Sequence, residues 1–239
     1  MKMGLISRAR TCSSAVIFSL VKQYNLVNKY EIYNDITRNL DKDYYALSKG
    51  DFDREKRFKE KFLKFTDKLF LEDNFICKIW PAMLIATPHR VIEPFEKTKE
   101  KIIFDLTTYL KIREYDQLYF LDRNLYDSTA SWAYSKKSMI WRKQHRQPIV
   151  KLEPKDFNTV KFYILEYCLH QKIKEFLIEQ NIPFIDIKDK PEPFIDSSIP
   201  ITKSNNKYQE LITNYDELYN FITDYYEIYV NNTKDWKFT

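Results

Sequence analysis

The sequence predicts an α/β protein in which a central parallel sheet is flanked by helices in three layers. Short apolar segments alternate along the chain with longer amphipathic ones, which is the pattern of repeated β–α–β units. The first apolar segment, Met3 to Ile6, runs through a short polar turn into a helical segment. A length of 239 residues, of which 44% are hydrophobic and 31% charged, suits one α/β domain over residues 1–239.

The first half of the chain is predicted to alternate strand, helix, strand, helix and strand. Phe58, Phe62, Phe65 and Leu69 recur at the 3.6-residue helical period, whereas the strands are short apolar runs. Pro81 ends the third strand because proline cannot donate to a sheet ladder. The predicted strands cover residues 2–6, 27–33 and 75–80, and the predicted helices cover residues 13–24 and 53–69.

The second half is predicted to continue as helix, strand, helix, helix, strand and helix. A long amphipathic helix is indicated where Phe162, Leu165, Leu169 and Ile173 fall on one face. The predicted helices cover residues 95–109, 128–143, 157–180 and 208–229, and the predicted strands cover residues 118–121 and 182–187. Residues 189–206 form a predicted loop rich in Pro, Ser and Asn, and its length suggests a binding role.

Composition limits the kinds of partner and compartment. A net charge of +5 suits an anionic ligand without requiring nucleic acid, and no RRM, KH, zinc-finger or helix-turn-helix signature is visible. Cys12, Cys77 and Cys168 are odd in number and lack motif spacing, so we expect no zinc site, no disulfide scaffold and a reducing cytosol. The apolar run from Ala15 to Val21 is too short to span a membrane. We therefore predict a cytoplasmic protein without a metal or a membrane partner.

The turn after the first strand, Ser7 to Ser14, carries phosphate-binding chemistry. A strand that feeds a helix presents the helix's first unpaired N–H groups to an anion. The Ser and Thr hydroxyls add donors, and Arg10 adds a fixed charge with fork geometry. The spacing fits a nucleoside-triphosphate loop, but both glycines and the lysine of that motif are absent. ATP or GTP hydrolysis of the usual kind is therefore not expected.

A second motif follows the predicted strand over residues 118–121. Arg123 leaves that strand at its carboxyl end, where open α/β sheets bind ligands. Ser131 lies eight residues further along the chain and is followed by Trp132. Because eight residues make slightly more than two helical turns, Ser131 returns to the side of Arg123.

Together the two motifs resemble the donor site of sulfotransferases, the P-loop-like enzymes that use 3′-phosphoadenosine-5′-phosphosulfate. The turn resembles their 5′-phosphosulfate loop, and Arg123 with Ser131 resembles their 3′-phosphate site, most closely in the carbohydrate-type and the bacterial or viral branches. Cys12 departs from the family's Gly, and its Cβ would crowd a phosphate. The resemblance implies donor contacts from Arg10, Thr11, Cys12, Ser13, Ser14, Arg123, Ser131 and, from the late loop, Lys203.

The resemblance also implies a reaction: transfer of a sulfuryl group to a hydroxyl of a small molecule, possible acceptors including a carbohydrate. Arg10 is the candidate for stabilising the leaving phosphate. Glu31 is the first candidate for the general base, because carbohydrate-type members place a Glu after the second strand. The cytosolic branch uses a His just after the third strand, but Trp80 or Pro81 stands there in this chain, so that pattern fails. His89 is the second candidate for the base.

Two alternatives remain open at this point. One is a degenerate P-loop kinase for a nucleotide or small molecule, although the missing lysine argues against it. The other is a module that binds a nucleotide or nucleic acid without catalysis, for which the +5 charge and 18 tyrosines provide support. The sequence indicates neither the acceptor nor the oligomeric state.

Overall fold

A five-stranded sheet forms the centre of the computed structural model, which describes residues 1–8, 11, 13–30, 52–81, 106–140, 147–188, 207–235 and 238. The strands are β1 (Lys2–Ser7), β2 (Val27–Tyr30), β3 (Phe75–Ile79), β4 (Gln117–Asp122) and β5 (Ile185–Lys188). Every neighbouring pair is parallel, and the strand order is β2-β3-β1-β4-β5. The predicted α/β fold class is confirmed.

The helices in chain order are α1 (Ser13–Tyr24), α2 (Phe52–Phe70), α3 (Leu106–Leu110), α4 (Leu125–Ser138), α5 (Pro154–Glu179), α6 (Lys207–Leu211) and α7 (Tyr215–Thr233). A short 3₁₀ turn, Ile112–Glu114, precedes β4. Strand β1 is central and almost wholly buried, which explains its continuous apolar sequence. Gly4 allows β4 to lie close, because a Cβ there would be 2.8 Å from Leu118 Cδ2.

Separate apolar cores cover the two faces of the sheet, which makes the structure three-layered and consistent with a P-loop-like fold. On one face, Met3 and Leu5 of β1 pack with Val16, Ile17 and Leu20 of α1. On the opposite face, alternate side chains of the strands belong to a larger core to which helices α2 to α7 all contribute. The residues of this larger core that lie on the three central strands are Ile6, Phe75, Cys77, Ile79, Leu118 and Phe120.

Two helices begin earlier than predicted because polar residues cap them. Helix α4 begins at Leu125 rather than at residue 128, because Asn124 accepts hydrogen bonds from the backbone N–H groups of Tyr126 and Asp127. Helix α5 begins at Pro154 rather than at residue 157. There Glu153 and Asp156 form a reciprocal capping box. Helix α4 ends at Ser138, short of the predicted residue 143.

The single predicted helix over residues 208–229 is wrong, because the segment is divided into α6 and α7. The Asn214 side chain accepts a hydrogen bond from the backbone N–H of Leu152 and donates one to its carbonyl. Ile212 also makes an isolated parallel bridge to Val150. These contacts to the segment before α5 replace the helical hydrogen bonds at the break.

Other element boundaries differ modestly from prediction. Strand β5 begins at Ile185 instead of residue 182, after Pro183. Of the helix predicted over 95–109, only the part from Leu106 onward falls within the described residues, where it forms α3. Residues 31–33 of the second predicted strand and the predicted loop 189–206 lie outside the described residues.

Candidate functional site

The ends of β1 and β4 bring the two sequence motifs together at the carboxyl edge of the sheet. The strands are paired, with Ser7 opposite Leu121, so Arg8 emerges beside Asp122. The Nη2 group of Arg8 donates a hydrogen bond to the Arg123 carbonyl at 3.0 Å. The turn before α1 and the turn before α4 are therefore in direct contact, at the edge where open α/β sheets bind ligands.

Arg8 is completely buried, at 0% exposure. Its guanidinium carbon lies 5.2 Å from the ring centroid of Tyr163 and 4.5 Å from that of Tyr167, both on α5. Nη2 also approaches Asp122 Oδ1 at 3.6 Å. The Thr11 hydroxyl donates a hydrogen bond to the Arg8 carbonyl at 2.8 Å, which holds the backbone of Arg8 in place.

Asp122 is the acceptor around which this edge is organised. Its Oδ1 accepts the backbone N–H of Arg123 at 2.8 Å, and its Oδ2 accepts Nε2 of Gln171 at 3.0 Å. Oδ1 also lies 3.7 Å from His170 Nδ1. With a side chain only 18% exposed, Asp122 links β4 to α5 and holds the Arg123 backbone in place.

His170 extends the polar cluster into the core. Its ring stacks on Phe120 with a centroid separation of 4.0 Å, and the residue is 0% exposed. Burial, followed by the nearby Arg8 charge, lowers the pKa of His170 well below its usual value of 6.5. The imidazole is therefore neutral at physiological pH.

A cavity of about 290 Å³ opens beside this cluster, at the carboxyl ends of β4 and β5. It combines two cationic side chains with three tyrosine rings, a carboxylate and an amide. Its lining residues are Asp122, Arg123, Asn124, Leu125, Tyr126, Tyr167, Lys188 and Tyr226. Such a mixture suits a ligand that carries both an anionic group and a planar or apolar part.

The tyrosines of the cavity are held by contacts behind them. Tyr126 stacks on Tyr219 at a centroid separation of 4.4 Å, and the Tyr167 and Tyr226 rings meet edge-on at 5.8 Å. Burial and the Asp122 carboxylate raise the pKa of Tyr167 to about 12. Its hydroxyl therefore remains protonated and can donate a hydrogen bond at neutral pH.

The predicted site residues fall into three groups. Thr11, Ser13 and Ser14 lie at the junction of β1 and α1, and Arg123 lines the cavity. Ser131 is instead enclosed between helices, 1% exposed, with its Oγ 2.8 Å from the Tyr208 hydroxyl, and it does not line the cavity. Five of the predicted residues lie outside the described residues: Arg10, Cys12, Glu31, His89 and Lys203.

Sequence reasoning missed Arg8 and the polar face of α5. The charge expected in the turn was assigned to Arg10 and not to Arg8, because only the folded structure shows which residues bury Arg8. The polar face had a detectable signal, because its members recur at helical spacing within an apolar helix. They are Tyr163, Glu166, Tyr167, His170 and Gln171. Glu166 accepts a hydrogen bond from Trp80 Nε1, so this face also reaches the end of β3.

Two features are absent from the described ranges of the chain. Among these residues there is no group of three or more His, Cys, Asp or Glu side chains suited to holding a metal ion. No helix in the described part of the chain is both long and apolar enough to cross a membrane. Comparison with protein-family models, with curated proteins and with solved structures finds no match to this chain.

Proposed function

We propose that the protein is a sulfotransferase that uses 3′-phosphoadenosine-5′-phosphosulfate and acts on a hydroxyl of a small molecule. The observation that carries the proposal is the contact between Arg8 and the Arg123 carbonyl. This contact supports the proposal because it makes neighbours, at one edge of the sheet, of the two turns that the sequence predicts to bind phosphate. A nucleotide with phosphates at both ends of its ribose needs two such adjacent anion sites.

The β1–α1 junction supplies the 5′ end of the proposed site. The first N–H groups of α1, a helix of 12 residues, have no acceptor within the helix and carry its positive dipole end. Arg10 provides the charge that the leaving phosphate requires in this proposal. Thr11, Ser13 and Ser14 are hydroxyl residues in the same short stretch, and Ser13 opens α1.

The cavity supplies the 3′ end of the proposed site. Arg123 and Lys188 provide positive charge, and the protonated Tyr167 hydroxyl is a neutral donor at the same wall. The rings of Tyr126 and Tyr226 offer faces or edges for the adenosine. The burial of Ser131 does not add to this support, because its hydroxyl already bonds with Tyr208.

The proposed reaction breaks the bond between sulfur and the phosphate oxygen of the donor and forms one between sulfur and the acceptor oxygen. The acceptor's proton passes to a base, for which Glu31 is the first candidate and His89 the second. The released product is adenosine 3′,5′-bisphosphate. Preorganised positive charge near the leaving phosphate lowers the barrier, because charge grows there in the transition state.

A thermal-unfolding comparison tests the proposal. Adenosine 3′,5′-bisphosphate at a hundred times its dissociation constant should add about 2.7 kcal/mol, which corresponds to a rise of roughly 5–10 °C in Tm. Adenosine 5′-monophosphate is the matched control, since it lacks the 3′-phosphate and should stabilise the protein much less. ATP with magnesium and single-stranded DNA complete the set.

Each alternative gives a different pattern. Stabilisation by ATP with magnesium but not by the bisphosphate would favour a degenerate kinase. Stabilisation by single-stranded DNA alone would favour a nucleic-acid-binding module. Equal stabilisation by the bisphosphate and the monophosphate would contradict the proposed 3′-phosphate site at Arg123, because only that phosphate distinguishes the two ligands.

A further inference from the structure

Arg8 retains unused hydrogen-bonding capacity in the core. Its Nε and Nη1 atoms are buried and have no hydrogen-bond partner, a statement that holds for the part of the chain that the structure describes. Burying an N–H donor without an acceptor is unfavourable, and more so when the group is charged. Two such donors on one fully buried guanidinium require an explanation.

Among the described residues, the neighbours of Arg8 do not supply the missing acceptors. Nη2 uses the Arg123 carbonyl at 3.0 Å. Asp122 is the nearby carboxylate, but its oxygens also accept from the Arg123 backbone and from Gln171, and it faces Nη2 at 3.6 Å. The Tyr163 and Tyr167 rings stabilise the cation through their π faces without accepting the in-plane N–H groups of Nε and Nη1.

Arg8 lies directly behind the wall of the cavity. Three of the residues that contact it, Asp122, Arg123 and Tyr167, also line that cavity. Of these three residues, Tyr167 is the one that contacts Arg8 through an aromatic ring, whose centroid lies 4.5 Å from the guanidinium carbon.

We propose that Arg8 is the buried anchor for an oxyanion of the ligand, a phosphate or sulfate group whose oxygens accept the Nε–H and Nη1–H hydrogen bonds. The Tyr167 ring moves aside as the anion enters. The identification of that anion as part of a nucleotide rests on the proposed function, whereas the anchor itself requires only the oxyanion. The unpaired donors are then the ligand-free state of a binding site, not a defect of packing.

The first experiment observes the Arg8 Nε–H group by proton–nitrogen NMR in the unmodified protein. Sodium pyrophosphate, sodium sulfate and adenosine 3′,5′-bisphosphate are added separately, so that phosphate and sulfate sources are distinguished. The Arg8 signal should move downfield with at least one of them, whereas the signal of exposed Arg113, at the opposite edge of the sheet, should not follow it. An Arg8 signal that stays unchanged at saturating anion would overturn the proposal.

The second experiment measures the affinity of the same anions for Arg8→Lys and Arg8→Gln, with Arg113→Gln as the control. Both Arg8 variants should bind the anions at least about tenfold more weakly. Arg8→Lys loses the fork geometry but keeps the charge, whereas Arg8→Gln loses both and should bind more weakly still. Unchanged affinity in folded Arg8 variants would overturn the anchor. If the variants do not fold, the NMR result on the unmodified protein decides.

The two proposals can fail separately. Pyrophosphate that binds through Arg8, with no further gain from the adenosine of the bisphosphate, would support the anchor and contradict the nucleotide function. Bisphosphate that binds equally well to the wild type and to both Arg8 variants would overturn the anchor and leave the nucleotide function standing. An absence of binding by every anion would overturn the anchor.

Discussion

The role of Ser131 can be decided by mutation, because the resemblance and the structure predict different consequences for its loss. In the structure its Oγ lies 2.8 Å from the Tyr208 hydroxyl, and the two residues are 1% and 8% exposed. Ser131→Ala should therefore lower the free energy of unfolding by about 1–2 kcal/mol, since it leaves a buried phenol hydroxyl short of a partner. For a chain of this size that loss equals roughly 2–8 °C in Tm.

A double-mutant cycle with Tyr208→Phe isolates the hydrogen bond. Tyr208→Phe should also destabilise the protein, but the double variant should lose less than the sum of the two single losses, by about 1 kcal/mol. Urea unfolding followed by circular dichroism measures all four proteins. Additive losses would show that the two hydroxyls do not stabilise each other.

The same variants report on the ligand site. If Ser131 is only a contact between helices, Ser131→Ala should bind adenosine 3′,5′-bisphosphate like the wild type. A variant with unchanged stability and an affinity about tenfold weaker would refute the structural interpretation, and would restore Ser131 to the 3′-phosphate site that the resemblance implies.

The remaining predictions concern Arg123 and His170. Arg123→Gln should weaken binding of the bisphosphate by about tenfold or more, as measured by calorimetry, while Arg113→Gln at the opposite edge leaves it unchanged; equal affinities would remove Arg123 from the site. His170 has a pKa well below 6.5 in the folded protein, so below that pH the unfolded chain binds more protons. The contribution of His170 should therefore lower the free energy of unfolding as the pH falls below about 6.5, by at most about 1.4 kcal/mol per pH unit. His170→Leu should remove this contribution. Parallel slopes for the two proteins in urea titrations between pH 7 and 5 would contradict the assignment.

The fold could be predicted because its main elements are encoded locally. Apolar runs of strand length alternate with helical periods, and the observed bounds of α1 coincide with the predicted ones. Two of the errors lie where a single polar side chain determines where a helix begins or ends. Asn124 begins α4 by capping two N–H groups, and Asn214 divides the last helical segment by bonding to Leu152. Such a cap depends on side-chain geometry, so a hydrophobic period cannot locate it.

The site was harder to predict because burial is a tertiary property. Arg8 and Arg10 look equivalent in the sequence, yet Arg8 is enclosed by tyrosines that lie more than 150 residues later on α5. Asp122 precedes the predicted Arg123, and only the pairing of β1 with β4 places it beside Arg8. A local motif can identify an edge of a sheet, but it cannot identify which of its charges becomes desolvated there.

Electrostatics gives a physical reason for a charge in this position. The cavity is lined by Arg123 and Lys188 against Asp122, and Arg8 lies behind the same wall. Lys188 is exposed, so solvent and salt screen its field, whereas the field of fully buried Arg8 passes through protein of lower effective dielectric constant. The neutral His170 adds no competing charge at physiological pH. The position of Arg8 is fixed before any ligand binds, so its attraction for an anion in the cavity, reduced by the Asp122 carboxylate 3.6 Å away, should persist at salt concentrations that suppress contacts with surface lysines.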